Sequence, residues 1–149
     1  MGELLKSKQK TGKIPLFDSR QRGQAVVELV VILPLLLLLI VGALELGRVF
    51  FAKIVITNAA REGVYYLSLN ASDQSGAKLA AEAEANNSGI TLAAANIGIT
   101  CTITNGACKS GDPVTVAVSQ TLNNLFLISL FNGSKNSLTI SSSAEMVVQ

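Results

Sequence analysis

Few side chains in this protein could do chemistry, and one of them stands where a charge is expensive. Glu28 is the only charged residue in an apolar run at positions 25–44. A carboxylate inside an otherwise apolar span costs free energy, so its presence reads as functional and implies a partner. Acid–base chemistry has little to draw on, because the chain contains no histidine. It also lacks a Gly-rich phosphate loop and a serine nucleophile elbow. Glu82 and Glu84 are two residues apart in an Ala-rich stretch, which puts them on different faces of a helix rather than side by side. Cys101 and Cys108 are the only cysteines and do not form a CxxC motif. Without histidine, a zinc site would have to add carboxylates to two thiols. In an oxidising compartment the pair reads as a disulfide across a short hairpin, adding ~2–3 kcal/mol and pinning a turn. These residues supply no expected catalytic set, cofactor site or metal site, and they favour a structural or assembly role.

The element carrying Glu28 organises the rest. At ~1.5 Å per residue, a helix of about 20 residues matches the ~30 Å hydrocarbon thickness of a bilayer. The chain has 149 residues, 49% hydrophobic and 15% charged, enough for one membrane element and one small folded domain. Its charge is asymmetric. Before Gln24 stand six basic residues (Lys6, Lys8, Lys10, Lys13, Arg20, Arg22) against Glu3 and Asp18, a net +4, whereas the remainder carries −2. A basic leader ahead of an apolar span predicts a cytoplasmic N-terminus and an extracytoplasmic remainder. Nucleic-acid binding would want basic residues and aromatics clustered on the folded part, and the charge lies elsewhere. No small-molecule substrate is indicated. Two ordinary readings of this N-terminus are a cleavable secretory signal, with Val41-Gly42-Ala43 as its site, and an unprocessed signal anchor. The run is longer than the ~7–15 residues of a signal-peptide core. A plain anchor leaves Glu28 unexplained.

A third reading makes Gly23 a cleavage point. The basic leader, Gly23, then Gln24-Ala25-Val26-Val27-Glu28 and a hydrophobic helix resemble the processing site of type IV pilin precursors. Asn58-Ala59-Ala60-Arg61-Glu62-Gly63 late in the helix, with Leu138-Thr139-Ile140 and Ser143-Ala144-Glu145-Met146 near the end of the chain, resemble TadE-type pseudopilins of the tight-adherence (Tad/Flp) pilus system. The resemblance implies that a prepilin peptidase cuts between Gly23 and Gln24, leaving Glu28 as the fifth mature residue. It further implies other pilins or pseudopilins and a pilus assembly platform as partners. Two positions depart from the family pattern: Leu29 stands where Flp-type precursors usually carry an aromatic, and Gln24 stands where many type IV pilins begin with an N-methylated Phe.

Cleavage would create an ammonium at Gln24, one helical turn from Glu28. In a bundle of such helices the ammonium of one subunit could meet Glu28 of another, turning an unpaired carboxylate into a compensated pair that specifies register. The simpler alternative has Glu28 snorkelling to the interface and gaining a few tenths of a kcal/mol from the helix dipole.

No proline follows Pro34 before Asn70, and Leu46, Phe50 and Ile54 recur at helical spacing, which predicts one helix from about 24 to 67. Pro34 should kink or locally open it. Phe50, Phe51 and Ile56 point in well-separated directions, so a small domain can cover only one side and partner helices are expected on the other. Arg61 and Glu62 are candidate interface residues, and Glu45 with Arg48 marks emergence into water. Gly63 implies close packing, because it costs ~1 kcal/mol in a helix interior. A short surface helix follows from Gly76 to Asn87, with Ser75 as its cap. Period-two alternation at Ile97, Ile99, Cys101 and Ile103, at Val114, Val116 and Val118, and at Leu138 and Ile140 then predicts three strands. Asn105-Gly106 is a turn signal. Residues 122–131 read either as a loop with a helical turn over the sheet or as an exposed contact patch.

The expectation is an α+β, pilin-like chain: a long N-terminal transmembrane helix, a short helix and a small three-stranded antiparallel sheet. Its parts are a cleaved cytoplasmic leader at 1–23, a transmembrane segment at 24–44, and an extracytoplasmic domain at 71–149. The expected function is that of a non-enzymatic pseudopilin or minor pilin in an adhesive Tad/Flp-type pilus, seated in the inner membrane. The alternative is an unprocessed, signal-anchored envelope protein that binds a partner through its small domain.

Overall fold

The computed structural model describes residues 19–101, 108–126, 129–130 and 136–149. Most of the leader, Ile103, the Asn105-Gly106 turn, and Leu127, Ile128 and Phe131 lie outside them. The elements are helix α1 (Ser19–Leu69), helix α2 (Gln74–Asn87), a 3-10 turn (Ala94–Asn96), and strands β1 (Ile97–Cys101), β2 (Pro113–Leu122) and β3 (Leu138–Val147). The α+β arrangement expected from the sequence is the one observed. The chain forms two compact units that divide after Leu38.

The first unit contains the start of α1. From Gly23 to Leu38 every residue is exposed, including Val26, Val30, Leu33 and Leu37. α1 continues through Pro34 and begins at Ser19 rather than near Gln24. The good helix formers Arg and Gln upstream of Gly23 carry it backwards.

In the second unit, the outer half of α1 lies against the sheet. Ala52, Val55, Ile56, Ala59, Ala60, Val64 and Leu67 are buried, at the alternating three- and four-residue spacing of one helical face. α2 adds Ala77, Ala81 and Ala85, and the sheet adds Ile97, Val114, Val116 and Val118. Strand order is β1-β2-β3 with both pairs antiparallel. The register sets Cys101 against Val114 and Leu122 against Leu138, so the apolar positions of neighbouring strands share one face. Burying a side chain such as Ile56 contributes roughly 1.5–3 kcal/mol.

Gly63 explains why the layers can come so close. A Cβ there would lie 3.2 Å from the Ala77 carbonyl oxygen and 3.3 Å from both Ala81 Cβ and Val116 Cγ1. Helix α1, helix α2 and strand β2 therefore meet over one missing methyl group, the packing reason that the sequence implied. Polar ties complete the seam. Thr57 Oγ1 and Ser142 Oγ are 2.9 Å apart across helix and sheet. The end of the chain is held by Val148 N–H donating to the Asp112 carbonyl at 3.0 Å and Gln149 N–H donating to the Ser68 carbonyl at 2.9 Å.

α1 ends at Leu69, where the backbone N–H and side-chain amide of Asn70 both donate to the Tyr66 carbonyl. The cap of α2 differs from expectation. Asp73, not Ser75, is the N-cap: its Oδ1 accepts from Gly76 N–H and from Ser75 Oγ, each at 2.9 Å, while Tyr66 OH donates to Oδ2 at 2.9 Å. A carboxylate one residue before the first turn is better placed to accept the orphan amide than Ser75, which already sits inside the helix.

Candidate assembly surface

Glu28 and Gln24 sit one turn apart on α1, where Gln24 Nε2 donates to Glu28 Oε1 at 3.3 Å. Both are exposed, as is Gly23. At Gly63 an added Cβ would crowd three elements, and at Gly76 it would overlap the Asp73 carboxylate and the Tyr66 ring, but at Gly23, as at Gly47, it would meet nothing within 4 Å among the described residues. Packing in the described residues therefore gives no reason for glycine at position 23.

In the second unit, α1 presents a second face away from the sheet. Phe50 (66% exposed), Phe51, Ile54, Tyr65 and Leu69 lie on it, with Arg61 and Glu62 among them. Among the described residues, neither Arg61 nor Glu62 forms a side-chain hydrogen bond or ion pair. Ile56 points the other way and is fully buried. The expectation that one small domain could not enclose this helix is met: a sheet of three strands and a short helix cover one side of it. What the face offers is apolar area with one acid and one base at its centre, the composition of a protein–protein contact.

Of the segment after β2, residues 123–126, 129 and 130 are among those described. Asn124 adopts a positive φ of 61°, tolerated by Asn better than by most residues. Leu125 is buried, and its N–H donates to the Asn136 carbonyl at 3.0 Å. The Ser129 N–H donates to the Leu125 carbonyl at 3.1 Å. Phe126 and Leu130 remain exposed. The backbone N–H of Phe126 donates to Glu45 Oε1, so Glu45, paired with Arg48 in the sequence reading, holds a distant loop.

Cys101 and Cys108 form a disulfide, as the sequence reading expected. It joins the end of β1 to the approach to β2, with Cys108 buried. The polar group that sequence reasoning missed is the Asp73 cap. Hydrogen bonds from Gly76 N–H, then Tyr66 and Ser75, hold its carboxyl below the usual carboxylate range. The same hydrogen bond to Asp73, with its negative charge, pushes the Tyr66 phenol up. Its signal was present as Asp73-Gln74-Ser75-Gly76, where an acid precedes a small residue at N3. A recess of about 430 Å³ is lined by Lys53, Ala117, Ser141, Ser142 and Ser143, and the Lys53 ammonium donates to the Ser141 carbonyl beside it. Among the described residues no three of His, Cys, Asp and Glu cluster as metal ligands.

One helix among the described residues, α1, is long and apolar enough to cross a membrane. Its outer half carries a face that no part of the described chain covers.

Residues 23–64 match the model of the TadE-like protein family. The match begins on Gly23 and ends on Val64, inside the core-facing part of α1. It agrees with the resemblance read from the leader boundary and from residues 58–63. The pattern read at residues 138–146 lies beyond the TadE-like segment, as do α2 and the whole sheet. No curated protein and no solved structure matches the chain significantly. The TadE-like segment thus coincides with an apolar helix compatible with a single-pass membrane anchor.

Proposed function

We propose that the protein is a pseudopilin or minor pilin of a Tad/Flp-type adhesive pilus, made as a precursor and cut between Gly23 and Gln24 by a prepilin peptidase. The observation that carries this reading is the coincidence at Gly23. The TadE-like match starts there, at the junction of a basic leader and an apolar helix. Among the described residues an added side chain would meet nothing at Gly23, as at Gly47, so the place of Gly23 at that junction, and not its packing, supports recognition from outside. In this reading residues 1–23 stay in the cytoplasm and orient the precursor. Residues 24–44 hold the protein in the inner membrane, and the domain at 71–149 lies on the extracytoplasmic side, where Cys101 and Cys108 can be oxidised.

Glu28 then sets register. Its carboxylate, which meets the Gln24 amide in the uncut chain, accepts the new ammonium of Gln24 in its own helix or in a neighbour's, and a like-for-like bundle gains one compensated pair per subunit. The uncovered face around Phe50, Phe51, Arg61, Glu62 and Tyr65 serves as the lateral contact with other pilins, pseudopilins or the assembly platform. The role is structural and not enzymatic.

The test is intact mass or N-terminal sequencing of the protein purified from its native membrane. A chain beginning at Gln24 is expected. An intact leader in cells that contain the peptidase would sink the proposal.

A further inference from the structure

The loop after β2 exposes Phe126 and Leu130, each 54% accessible, beside a buried Leu125. Its place is set by Glu45, whose carboxylate accepts the Phe126 backbone N–H. Glu45 is the first residue beyond the apolar run at 25–44, so a loop distant in sequence is tied to the point where α1 leaves the hydrocarbon. The geometry points to a lipid-contact patch: Phe126 and Leu130 dip into the outer headgroup and acyl boundary of the bilayer that α1 crosses. The inference rests on the reading of residues 24–44 as a membrane span.

Three observations choose lipid as the occupant. Glu45 ties the patch to the helix turn that carries Leu44 and Leu46, which are also exposed. A backbone approaching lipid must have its N–H groups satisfied, because water is not there to do so. Glu45 satisfies one of them, and the Ser129 hydroxyl donates to the Phe126 carbonyl at 2.8 Å. Exposed Phe and Leu side chains beside hydrogen-bonded polar groups are the composition of an interfacial contact that reaches about 5–10 Å into the boundary. Other exposed apolar residues lack that placement. Leu79 is 64% exposed, but α2 packs at Gly63, which is about 27 Å along the helix axis from Glu45 at ~1.5 Å per residue. The patch thus gives the domain a second hold on the membrane.

The chain has no tryptophan, so single substitutions report position directly. The full-length protein, in phosphatidylcholine nanodiscs with and without acyl-brominated phosphatidylcholine, would be compared as Phe126→Trp, Leu130→Trp, Leu79→Trp and Leu37→Trp. The expected result is loss of emission to brominated lipid at 37, 126 and 130, with a blue-shifted spectrum at 126, and no loss at 79. Adding Glu45→Ala to Phe126→Trp should reduce the lipid quenching at 126 and leave that at 37 unchanged. Quenching at 37 but not at 126 or 130, with acrylamide reaching those two as readily as 79, overturns the lipid contact while leaving the span intact. Shielding of 126 and 130 from both acrylamide and lipid means that another protein chain covers the patch, and overturns it too. Absence of lipid quenching at 37 removes the span, and the inference falls with it.

Discussion

Two stretches of one helix follow different rules. From Leu29 to Leu38, α1 is apolar around its whole circumference and exposed on every side. From Phe50 to Leu67 it is two-faced: Ala52, Ala59, Ala60 and Gly63 let one face approach the sheet, with Val55, Ile56, Val64 and Leu67 packed beside them, and Phe50, Phe51, Ile54 and Tyr65 stand exposed on the other. A segment that packs on no other part of the described chain needs no distinction between its faces, so Leu and Val repeat without pattern. A segment that packs on a sheet must be shaped on one side, because interiors are close-packed and the backbone separation is set by the smallest side chains. The difference teaches that helicity is common to both stretches and that the identity of the neighbour is written in residue size.

The contrast can be broken most sharply at single aliphatic residues. Ile56→Ala should lower the stability of the sheet domain by roughly 2–5 kcal/mol through cavity formation, whereas Leu37→Ala should leave it unchanged. Urea unfolding of the full chain in detergent, followed by the fluorescence of Tyr65 and Tyr66, measures both. Equal effects at 56 and 37 would mean that the two stretches do not differ as described.

A smaller effect is expected at glycine. Gly63→Val should cost about 1–3 kcal/mol by overpacking against Ala77, Ala81 and Val116. Gly23→Val should alter domain stability by less than about 0.5 kcal/mol, since its added atoms enter open space. If Gly63→Val proved neutral in the same unfolding assay, the layers would not be limited by that residue.

The smallest effect concerns the Asp73 cap beyond the end of α1, and it depends on pH. Because Asp73 has a lowered folded-state pKa, its contribution is present above its unfolded value and is lost as pH falls below about 4. Tyr66 has a raised one, so its contribution is present below its unfolded value and is lost as pH rises above about 10. Asp73→Asn should flatten the acid side of a melting-temperature profile without touching the Leu37 or Ile56 comparison. An unchanged acid limb would exclude Asp73 as the titrating group.

Much of the architecture was legible in residue order. The period-two alternation around Val114, Val116 and Val118 survives as the buried face of β2, and the Cys101–Cys108 disulfide needed only two cysteines near a hairpin and an oxidising side. Residues 122–131 resisted, because LNNLFLISLF is apolar nearly throughout and carries no periodicity to say which side chains face inward. The α2 cap was misread because Asp73 and Ser75 are both good capping residues, and the helix start that chooses between them is held by Tyr66, which the chain brings from the previous element.

By itself, then, the sequence determined the features that depend on local order. They are the apolar length of α1, the isolated charge at Glu28, the glycine at 23 that heads the TadE-like segment, and the pattern of three strands. Tertiary structure alone decided which face of the outer helix is covered, that Ile56 is core while Phe50 and Phe51 are exposed, and that Glu45 reaches Phe126. The physical reason is that these depend on contacts between residues distant in the chain. Helical or strand period fixes which residues share a face, but only packing against a particular neighbour fixes which face is buried.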